Sequence, residues 1–313
     1  MKTENKNKSK IIIVCGATAS GKSALALKLC LEFDGELISA DSMQIYKRLD
    51  IGTAKPTAEE TALVKHHLID IKEPWENYSA AEFVCDAKAA IDDVLSRGKL
   101  PVVCGGTGLY IEALIHPTEY DKSTGIDGGF REKLNERDAH ELWEELNKID
   151  PEAAAAIHEN NKKRVIRALE IYYNTGKTKT ETDKEQKKYD SDFDYLLLIT
   201  DFSDREELYN RINRRVDLMV KNGLVEETET LLENNDLREG TTAYQAIGYK
   251  ELFPYFNGEK TLDECIDKLK QTTRNYAKRQ ITWFSRYDGV RVKDHKDAEA
   301  AVRTFLKGGE DNG

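Results

Sequence analysis

The chain has 313 residues, of which 39% are hydrophobic and 33% charged, and its formal net charge at pH 7 is −10. This length fits one large domain or two modest ones with a sizeable hydrophobic core, and the acidic total weakly disfavours a nucleic-acid partner. No apolar run approaches the roughly 18 residues of a membrane span, and the polar N-terminus lacks the apolar stretch of a signal peptide. The five cysteines show no metal-binding or paired spacing, so we expect a cytoplasmic protein that does not span the membrane.

The charge is unevenly distributed along the chain. Residues 162 to 188 contain nine Lys or Arg against four Asp or Glu, and residues 270 to 286 contain five basic residues and no acidic one. A local basic surface, rather than the total charge, decides whether a protein binds a phosphate backbone. Each window is therefore either a nucleic-acid-binding surface or an ordinary solvated helix face.

A phosphate-binding pattern lies near the N-terminus. The apolar residues 11 to 15 predict a buried strand, and Gly16, four further residues, Gly21, Lys22 and Ser23 follow it before a helical pattern begins. This is the P-loop pattern in its strand–loop–helix context. Its backbone amides and the helix N-terminus attract a phosphate, Lys22 can reach a terminal phosphate oxygen, and the Ser23 hydroxyl can ligate Mg²⁺. The alternative is a glycine turn that only joins strand to helix.

Helices and strands alternate after this loop. We predict helices at residues 22 to 33 and 80 to 97, the second opened by a capping box of Ser79 and Glu82, and further strands at residues 36 to 40, 67 to 71, 100 to 104 and 195 to 200. Alternation of this kind is typical of a parallel sheet covered on both faces. The predicted fold is therefore α/β, with a P-loop NTPase-like, doubly wound parallel sheet.

A helical segment interrupts this sheet before its last strand. After a glycine-containing loop at residues 118 to 129, helical stretches are predicted at 131 to 148, 151 to 158 and 161 to 175, and then a polar loop or frayed helix at 177 to 192. Asp150 before Pro151 marks a helix start. We predict a core of residues 9 to 117 and 193 to 313, with a helical insertion at residues 118 to 192.

The C-terminal part of this core is predicted to be helical. We expect helix from residue 203 to about residue 287, then a short strand or turn and a last helix after Val292.

The ends of three predicted strands carry polar or glycine-rich sequence: GATASGKS, ADSMQ and GGTG. Ligands of doubly wound sheets bind at the carboxyl ends of strands, so we expect these three stretches to form the active site. Asp41 in the second stretch can be a Mg²⁺ ligand, a general base or a helix N-cap. Thr107 in the third can present its hydroxyl to a ligand, or simply belong to a tight turn.

Two later segments carry cations. Arg211 and Arg215 share one helix face with Arg214 nearby, which suits a leaving pyrophosphate, although an exposed face with ion pairs is equally consistent. Residues 274 to 284 mix cations with Tyr276, Trp283 and Phe284, a composition that binds phosphates and stacks bases. We expect the aromatics to point largely inward and the cations outward.

Taken together, the motifs resemble a known family. GATASGKS, ADSMQIYKRLDIGTAKP, YSAAEF, GGTGLY, KRVIRALE, AIGYKE and AKRQITWF occur in this order between about residues 11 and 290, and the chain is similar in them to the bacterial tRNA dimethylallyltransferases. The resemblance implies transfer of a dimethylallyl group from its diphosphate to N6 of the adenosine at tRNA position 37. It also implies that the P-loop holds the prenyl diphosphate rather than ATP.

The resemblance assigns roles to individual residues. It makes Asp41 the general base and Thr107 the residue that orients the amine, and it places Lys22 and Arg215 on the diphosphate. The loop that binds the diphosphate with Mg²⁺, through Ser23, would consist of Gly16, Ala17, Thr18, Ala19, Ser20, Gly21, Lys22 and Ser23. The implied tRNA contacts are Asp41, Ser42, Met43, Gln44, Thr107, Arg131, Lys163, Arg164, Val165, Ile166, Arg167, Gln245, Ala246, Ile247, Gly248, Tyr249, Lys250, Lys278, Arg279, Gln280, Ile281, Thr282, Trp283, Phe284 and Ser285.

The implied partners are tRNA and dimethylallyl diphosphate, with Mg²⁺ as the cofactor and the protein as a monomer. Ala17 departs from the proline that the family usually has at this position of the loop. Two alternatives remain open from the residues themselves. One is a P-loop kinase of a small molecule or nucleotide, which would use ATP. The other is a tRNA-binding protein without catalysis, against which the intact Lys22, Ser23, Asp41 and Thr107 argue.

Overall fold

The computed structural model describes residues 8–116, 128–186, 191–202 and 204–308. The chain forms two compact units: unit 1 comprises Met1–Leu114 with Phe193–Gly313, and unit 2 comprises Ile115–Asp192. Most of the loop predicted at residues 118 to 129 lies outside the described residues. The roles that we predict, a P-loop catalytic core for residues 9 to 117 and 193 to 313 and a tRNA-binding insertion for residues 118 to 192, stay predictions.

Unit 1 is built on one parallel sheet of six strands. Its strands are β1 (Lys10–Cys15), β2 (Gly35–Ser39), β3 (His66–His67), β4 (Leu100–Gly105), β5 (Asp194–Thr200) and β6 (Val290–Val292). They lie in the order β3-β2-β4-β1-β5-β6, and every pairing is parallel. The central strand β1 is buried from Ile11 to Cys15, as expected for a strand with a near-continuous apolar run and both faces covered. This confirms the predicted parallel α/β architecture.

The third strand is much shorter than predicted. It contains only His66 and His67, whereas the sequence pattern predicted a strand to residue 71. Leu68 and Asp70 adopt left-handed backbone angles, with φ of 61° and 57°, and a strand cannot continue through such residues. The His67 ring instead contacts the Glu36 carboxylate of β2 at 2.8 Å.

Helices of unit 1 connect and cover the strands. They are α1 (Lys22–Glu32), α2 (Ala58–Leu63), α3 (Ala80–Ser96), α4 (Gly108–Ile115), α10 (Arg205–Lys221), α11 (Leu224–Glu233), α12 (Phe253–Phe256), α13 (Leu262–Phe284) and α14 (His295–Lys307), α4 ending one residue past the unit boundary. The predicted capping box is present, since Ser79 accepts from the Glu82 amide and the Glu82 side chain accepts from the Ser79 amide. Helices α1 and α14 pack on one face of the sheet around Leu29 and Val302.

The segment between α11 and α12 departs from the helical prediction for residues 203 to 287. It contains turns and one short 3₁₀ helix, Ala243–Gln245. Asn235, Gly240 and Gly248 have φ between 53° and 119°, which an α-helix does not accommodate. Further on, the short strand predicted near Val292 is β6, which pairs with β5.

Unit 2 is helical. It contains α5 (Gly128–Glu136), α6 (Ala139–Ile149), α7 (Pro151–Ala156), α8 (Lys162–Thr175) and α9 (Lys179–Gln186). Asp150 caps α7 by accepting from the Ala153 amide, as predicted. The single helix predicted over residues 131 to 148 is instead two helices, because Asp138 caps a new helix by accepting from the amides of His140 and Glu141.

Among the described residues, no helix is long and apolar enough to cross a membrane.

Candidate active site

The phosphate-binding loop joins β1 to α1 and depends on its glycines. Gly16 has φ of 147°, and a Cβ there would lie 2.0 Å from the Thr200 hydroxyl of β5. Gly21, with φ of 89°, is the N-cap of α1. The Ser20 and Thr200 hydroxyls hydrogen-bond at 2.7 Å. The loop is therefore held against the end of β5, and a side chain at Gly16 would force it away.

Helix α10 brings arginines to this loop. A cavity of about 280 Å³ is lined by Ala19, Gly21, Lys22, Ser23, Ala24, Arg211 and Arg215. Arg211 also forms an ion pair with Glu207 at 3.3 Å and lies over the Phe202 ring. Arg214 is exposed, and Arg215 is half-buried. The arrangement of a helix N-terminus with cations around a small cavity suits an anionic ligand.

Charges of the predicted site residues influence one another. Burial lowers the pKa of Lys22, the positive charge of Arg215 lowers it further, and the negative charge of Asp41 raises it. Burial also lowers the pKa of Arg215, and Asp41 opposes this. Burial raises the pKa of Cys104 to about 11, so this neighbouring thiol stays neutral near pH 7. Lys22, Arg215 and Asp41 thus share one electrostatic environment, although they come from three separate elements.

Asp41 and Thr107 follow neighbouring strands of the sheet. One carboxylate oxygen of Asp41 accepts from the Met43 amide at 2.9 Å, and the Thr107 hydroxyl accepts from the Ser42 amide at 3.0 Å. A Cβ at Gly105 would lie 2.1 Å from the Ala40 carbonyl oxygen, so glycine allows the two strand ends to approach closely. The two polar stretches that we predicted to converge are therefore joined by hydrogen bonds.

One residue next to this pair was not among the predicted site residues. Burial raises the pKa of the Tyr276 phenol, and the negative charge of Asp41 raises it further, whereas interactions with Thr107 and Gln280 lower it. Tyr276 therefore stays protonated near pH 7. Its spacing of four residues from Gln280 on a helix was the sequence signal that placed both on one face.

The C-terminal basic segment confirms the expected orientation of its side chains. Phe284 is buried, Tyr276 and Trp283 are half-buried, and Lys278 and Arg279 are exposed. The Trp283 ring packs on the glycine turn after β4, since a Cβ at Gly108 would lie 2.3 Å from it.

Several residues of the predicted tRNA contacts are buried. Tyr249 and Ala246 are 0% and 1% exposed, and the Tyr249 hydroxyl donates to Glu227 at 2.6 Å and accepts from the Gly52 amide at 3.1 Å. Gln44 is held by Ser39 and by the carbonyls of Thr53 and Ala54. The side chains of Tyr249 and Gln44 therefore hold the loop after β2. RNA contact by the residues of these stretches stays a prediction.

In unit 2, too, some of the predicted tRNA contacts are buried and others are exposed. Val165 and Ile166 lie in its hydrophobic core, whereas Lys163 and Arg164 are exposed. Arg131 forms an ion pair at 3.4 Å with Glu170, which is fully buried. The exposed cations of α8 therefore remain candidates for RNA contact.

Comparison with known proteins identifies the family. A family model described as IPP transferase matches residues 44–287. A tRNA dimethylallyltransferase of Anoxybacillus flavithermus is 49% identical over 291 residues, which cover 92% of this chain and 91% of that protein. The crystal structure of a tRNA delta(2)-isopentenylpyrophosphate transferase from Staphylococcus epidermidis is 39% identical, with a TM-score of 0.70, and covers 96% of this chain and 100% of that chain.

A eukaryotic dimethylallyltransferase, solved in a study of its action on tRNA, is 35% identical with a TM-score of 0.77 and covers 88% of this chain and 70% of that chain. These matches confirm the resemblance inferred from the motifs, and they extend over both units. The chain belongs to the IPP transferase family.

Proposed function

We propose that this protein is a tRNA dimethylallyltransferase that transfers the dimethylallyl group of dimethylallyl diphosphate to N6 of the adenosine at tRNA position 37. The observation that carries the proposal is the cavity at the phosphate loop, lined by Lys22 and Arg215, together with Asp41 and its hydrogen-bonded loop at the end of the nearby strand β2. It combines an anion-binding loop with a carboxylate, which is what a reaction with a diphosphate leaving group and an amine acceptor that must lose a proton requires. Membership of the family supports this reaction over the kinase alternative.

The donor would bind at the phosphate loop. Backbone amides between Gly16 and Ser23 and the side chains of Lys22 and Arg215 would hold the diphosphate. As the bond between C1 and the diphosphate oxygen breaks, its electron pair passes to the leaving group. The two cations stabilise the charge that develops there, because they are already oriented in a site partly screened from water.

The acceptor would bind beside Asp41. The N6 lone pair attacks C1 of the allyl group, and Asp41 takes the proton that the amine loses. Thr107 would orient the amine, and its hydroxyl is already positioned by the Ser42 amide. The target adenine must leave its stack to reach this site, at a cost of a few kcal/mol.

A magnesium ion fits the donor set. The Ser23 hydroxyl lies at the exposed N-terminus of α1, and hydroxyl, phosphate and water oxygens are ligands that Mg²⁺ prefers. Ser23 would hold the ion together with the diphosphate. When bound, Mg²⁺ would neutralise part of the negative charge of the leaving group.

The exposed basic residues would hold the RNA. Lys278 and Arg279 in unit 1, and Lys163 and Arg164 in unit 2, are exposed and suited to phosphate contacts, which supply much of RNA-binding affinity and make it salt-dependent. A tRNA acceptor is consistent with the expected cytoplasmic location. We retain a monomer as the expected state.

The test is a transfer assay with purified protein, Mg²⁺, labelled dimethylallyl diphosphate and an anticodon stem-loop carrying adenosine at position 37. We expect label in this RNA and none when guanosine replaces that adenosine. ATP hydrolysis without any transfer would instead indicate the kinase.

A further inference from the structure

Gln280 of α13 connects the two loops of the candidate site. Its side chain is 4% exposed, and both ends of its amide are used inside the protein. The Oε1 atom accepts from the Thr18 amide of the phosphate loop at 2.7 Å, and the Nε2 atom donates to the Gly106 carbonyl oxygen at 2.9 Å. Thr18 follows β1 and Gly106 follows β4, which are neighbouring strands.

We propose that Gln280 is a positioning residue that holds the donor-binding loop and the acceptor-orienting turn in register, and that it does not contact tRNA. This proposal rests on the proposed function, which assigns one loop to the donor and the other to the acceptor. Gln280 lies within a stretch that the family resemblance assigns to tRNA contact. Because Gln280 is buried and both of its hydrogen bonds are internal, we assign contact with tRNA to its exposed neighbours Lys278 and Arg279.

The glycines of the turn after β4 make this contact possible. A Cβ at Gly106 would lie 2.3 Å from Nε2 of Gln280, so a side chain at this position would displace the Gln280 amide from the turn. One turn earlier on the same face of α13, Ala277 packs with Ala17 of the phosphate loop and with Ile212 of α10. Helix α13 therefore packs against the phosphate loop and the turn after β4, and Gln280 hydrogen-bonds to both.

A carboxamide satisfies both partners. Thr18 offers an N–H and needs an acceptor, whereas Gly106 offers a carbonyl oxygen and needs a donor. Glutamate at position 280 would still accept from Thr18 but would place negative charge against the Gly106 oxygen. Methionine would keep the approximate shape and lose both hydrogen bonds.

The hydrogen bond from Gln280 to Gly106 also affects the position of Thr107 and Asp41. Thr107 directly follows Gly106, and its hydroxyl accepts from the amide of Ser42, the neighbour of Asp41. A shift at Gly106 would move the acceptor-orienting groups, and a shift at Thr18 would move the donor site. Misplacement of reacting atoms by about 1 Å lowers rates by roughly 100-fold, whereas ground-state binding of a large RNA depends on contacts elsewhere.

The first experiment compares Gln280→Met with the wild-type protein in single-turnover transfer. Rates are expressed per competent site, counted from the stoichiometry of dimethylallyl diphosphate binding, so that misfolded protein does not contribute. We expect the transfer rate to fall by about 30- to 100-fold, with stem-loop affinity unchanged. Gln271→Met on the exposed side of the same helix is the matched control and should leave the rate unchanged.

Arg279→Gln provides the opposite contrast, because the loss of this exposed cation should weaken stem-loop affinity. If Gln280→Met also weakened RNA binding and kept its saturated rate, Gln280 would be an RNA contact and the proposal would be wrong.

The second experiment needs no substrate, and it therefore separates this proposal from the proposed function. Amide hydrogen exchange is measured at Thr18 and Thr107 in the free proteins. Gln280→Met should lose protection at both, and Gln280→Glu at Thr107 alone, because the carboxylate still accepts from Thr18. Uniform loss of protection throughout unit 1, or no loss at either amide, would overturn the proposal even if the wild-type protein modified no RNA.

Discussion

The Ser42 amide donates a hydrogen bond of 3.0 Å to the Thr107 hydroxyl oxygen, and this bond joins the ends of β2 and β4 beside Asp41. Thr107 is therefore held by the same loop that carries the proposed base. An amine oriented by Thr107 would be placed in a fixed relation to the carboxylate that takes its proton.

Removal of this hydroxyl should lower transfer. Thr107→Val keeps the shape of the side chain but leaves the Ser42 amide without its acceptor, and we expect the transfer rate to fall by about 10- to 100-fold. The measurement is a single-turnover rate at saturating RNA. Thr107→Ser keeps the hydroxyl and is the control that should stay near the wild-type rate. A Thr107→Val rate near that of the wild-type protein would contradict the proposed role of this hydroxyl.

Diphosphate binding should be coupled to protonation of Lys22. Burial and the charge of Arg215 lower the pKa of Lys22 in the free protein, so it loses its proton at a lower pH than an ordinary lysine. An anionic ligand favours the charged form. We therefore expect proton uptake on diphosphate binding at alkaline pH, and affinity that weakens as pH rises through the lowered pKa.

Calorimetric titrations in two buffers of different ionisation enthalpy measure this uptake directly. Lys22→Met should bind diphosphate more weakly and show much less uptake. Proton uptake that persists in Lys22→Met would place the titrating group elsewhere.

Glu36 should make the stability of unit 1 depend on pH in the acid range. Hydrogen bonds from Arg97 and His67 lower the pKa of Glu36 to about 2, although burial opposes this. An unfolded glutamate has a pKa of about 4.3, so this stabilisation is fully present above that pH and is lost as pH falls towards 2. Glu36→Gln should destabilise the protein at pH 7 by about 1–3 kcal/mol and flatten the pH dependence below pH 5.

Denaturant unfolding of both proteins at several pH values provides the test. Parallel stability curves for wild type and Glu36→Gln would contradict the assignment, because the difference between them should shrink as the pH is lowered.

The Tyr249 hydroxyl should contribute to stability rather than to RNA affinity. It bridges Glu227 and the Gly52 amide inside unit 1, and Tyr249→Phe leaves both half-buried groups without this partner. We expect a loss of about 1–3 kcal/mol, measured by chemical denaturation, with stem-loop affinity unchanged below the unfolding transition. Tyr255, which is 38% exposed, offers the control: Tyr255→Phe should have little effect.

Local patterns predicted the parts of the fold that depend on neighbours in sequence. The apolar run of β1, the glycines of the phosphate loop and the capping box of Ser79 and Glu82 act over a few residues, and each has the predicted structure. The length of β3 could not be predicted, because Leu68 and Asp70 adopt left-handed backbone angles. Neither residue type indicates such angles in the sequence.

The sequence could not show which residues of the later motifs contact RNA and which hold the fold together. Tyr249 lies in a stretch that the resemblance assigns to tRNA contact, yet its side chain is fully buried. Its hydroxyl hydrogen-bonds to Glu227 and to the Gly52 amide. Gln280 lies among exposed cations, and its contacts with Thr18 and Gly106 join parts of the chain that only the folded sheet brings together. Long-range contacts of this kind leave no local pattern.

The measurement that tests the central claim most directly is single-turnover transfer by Asp41→Asn. The amide keeps the shape and an oxygen that can accept from the Met43 amide, but it cannot take a proton from the adenine amine. We predict that stem-loop and diphosphate affinities stay near wild type while the transfer rate falls by about 10²- to 10⁴-fold. A rate close to that of the wild-type protein would contradict the assignment of Asp41 as the base.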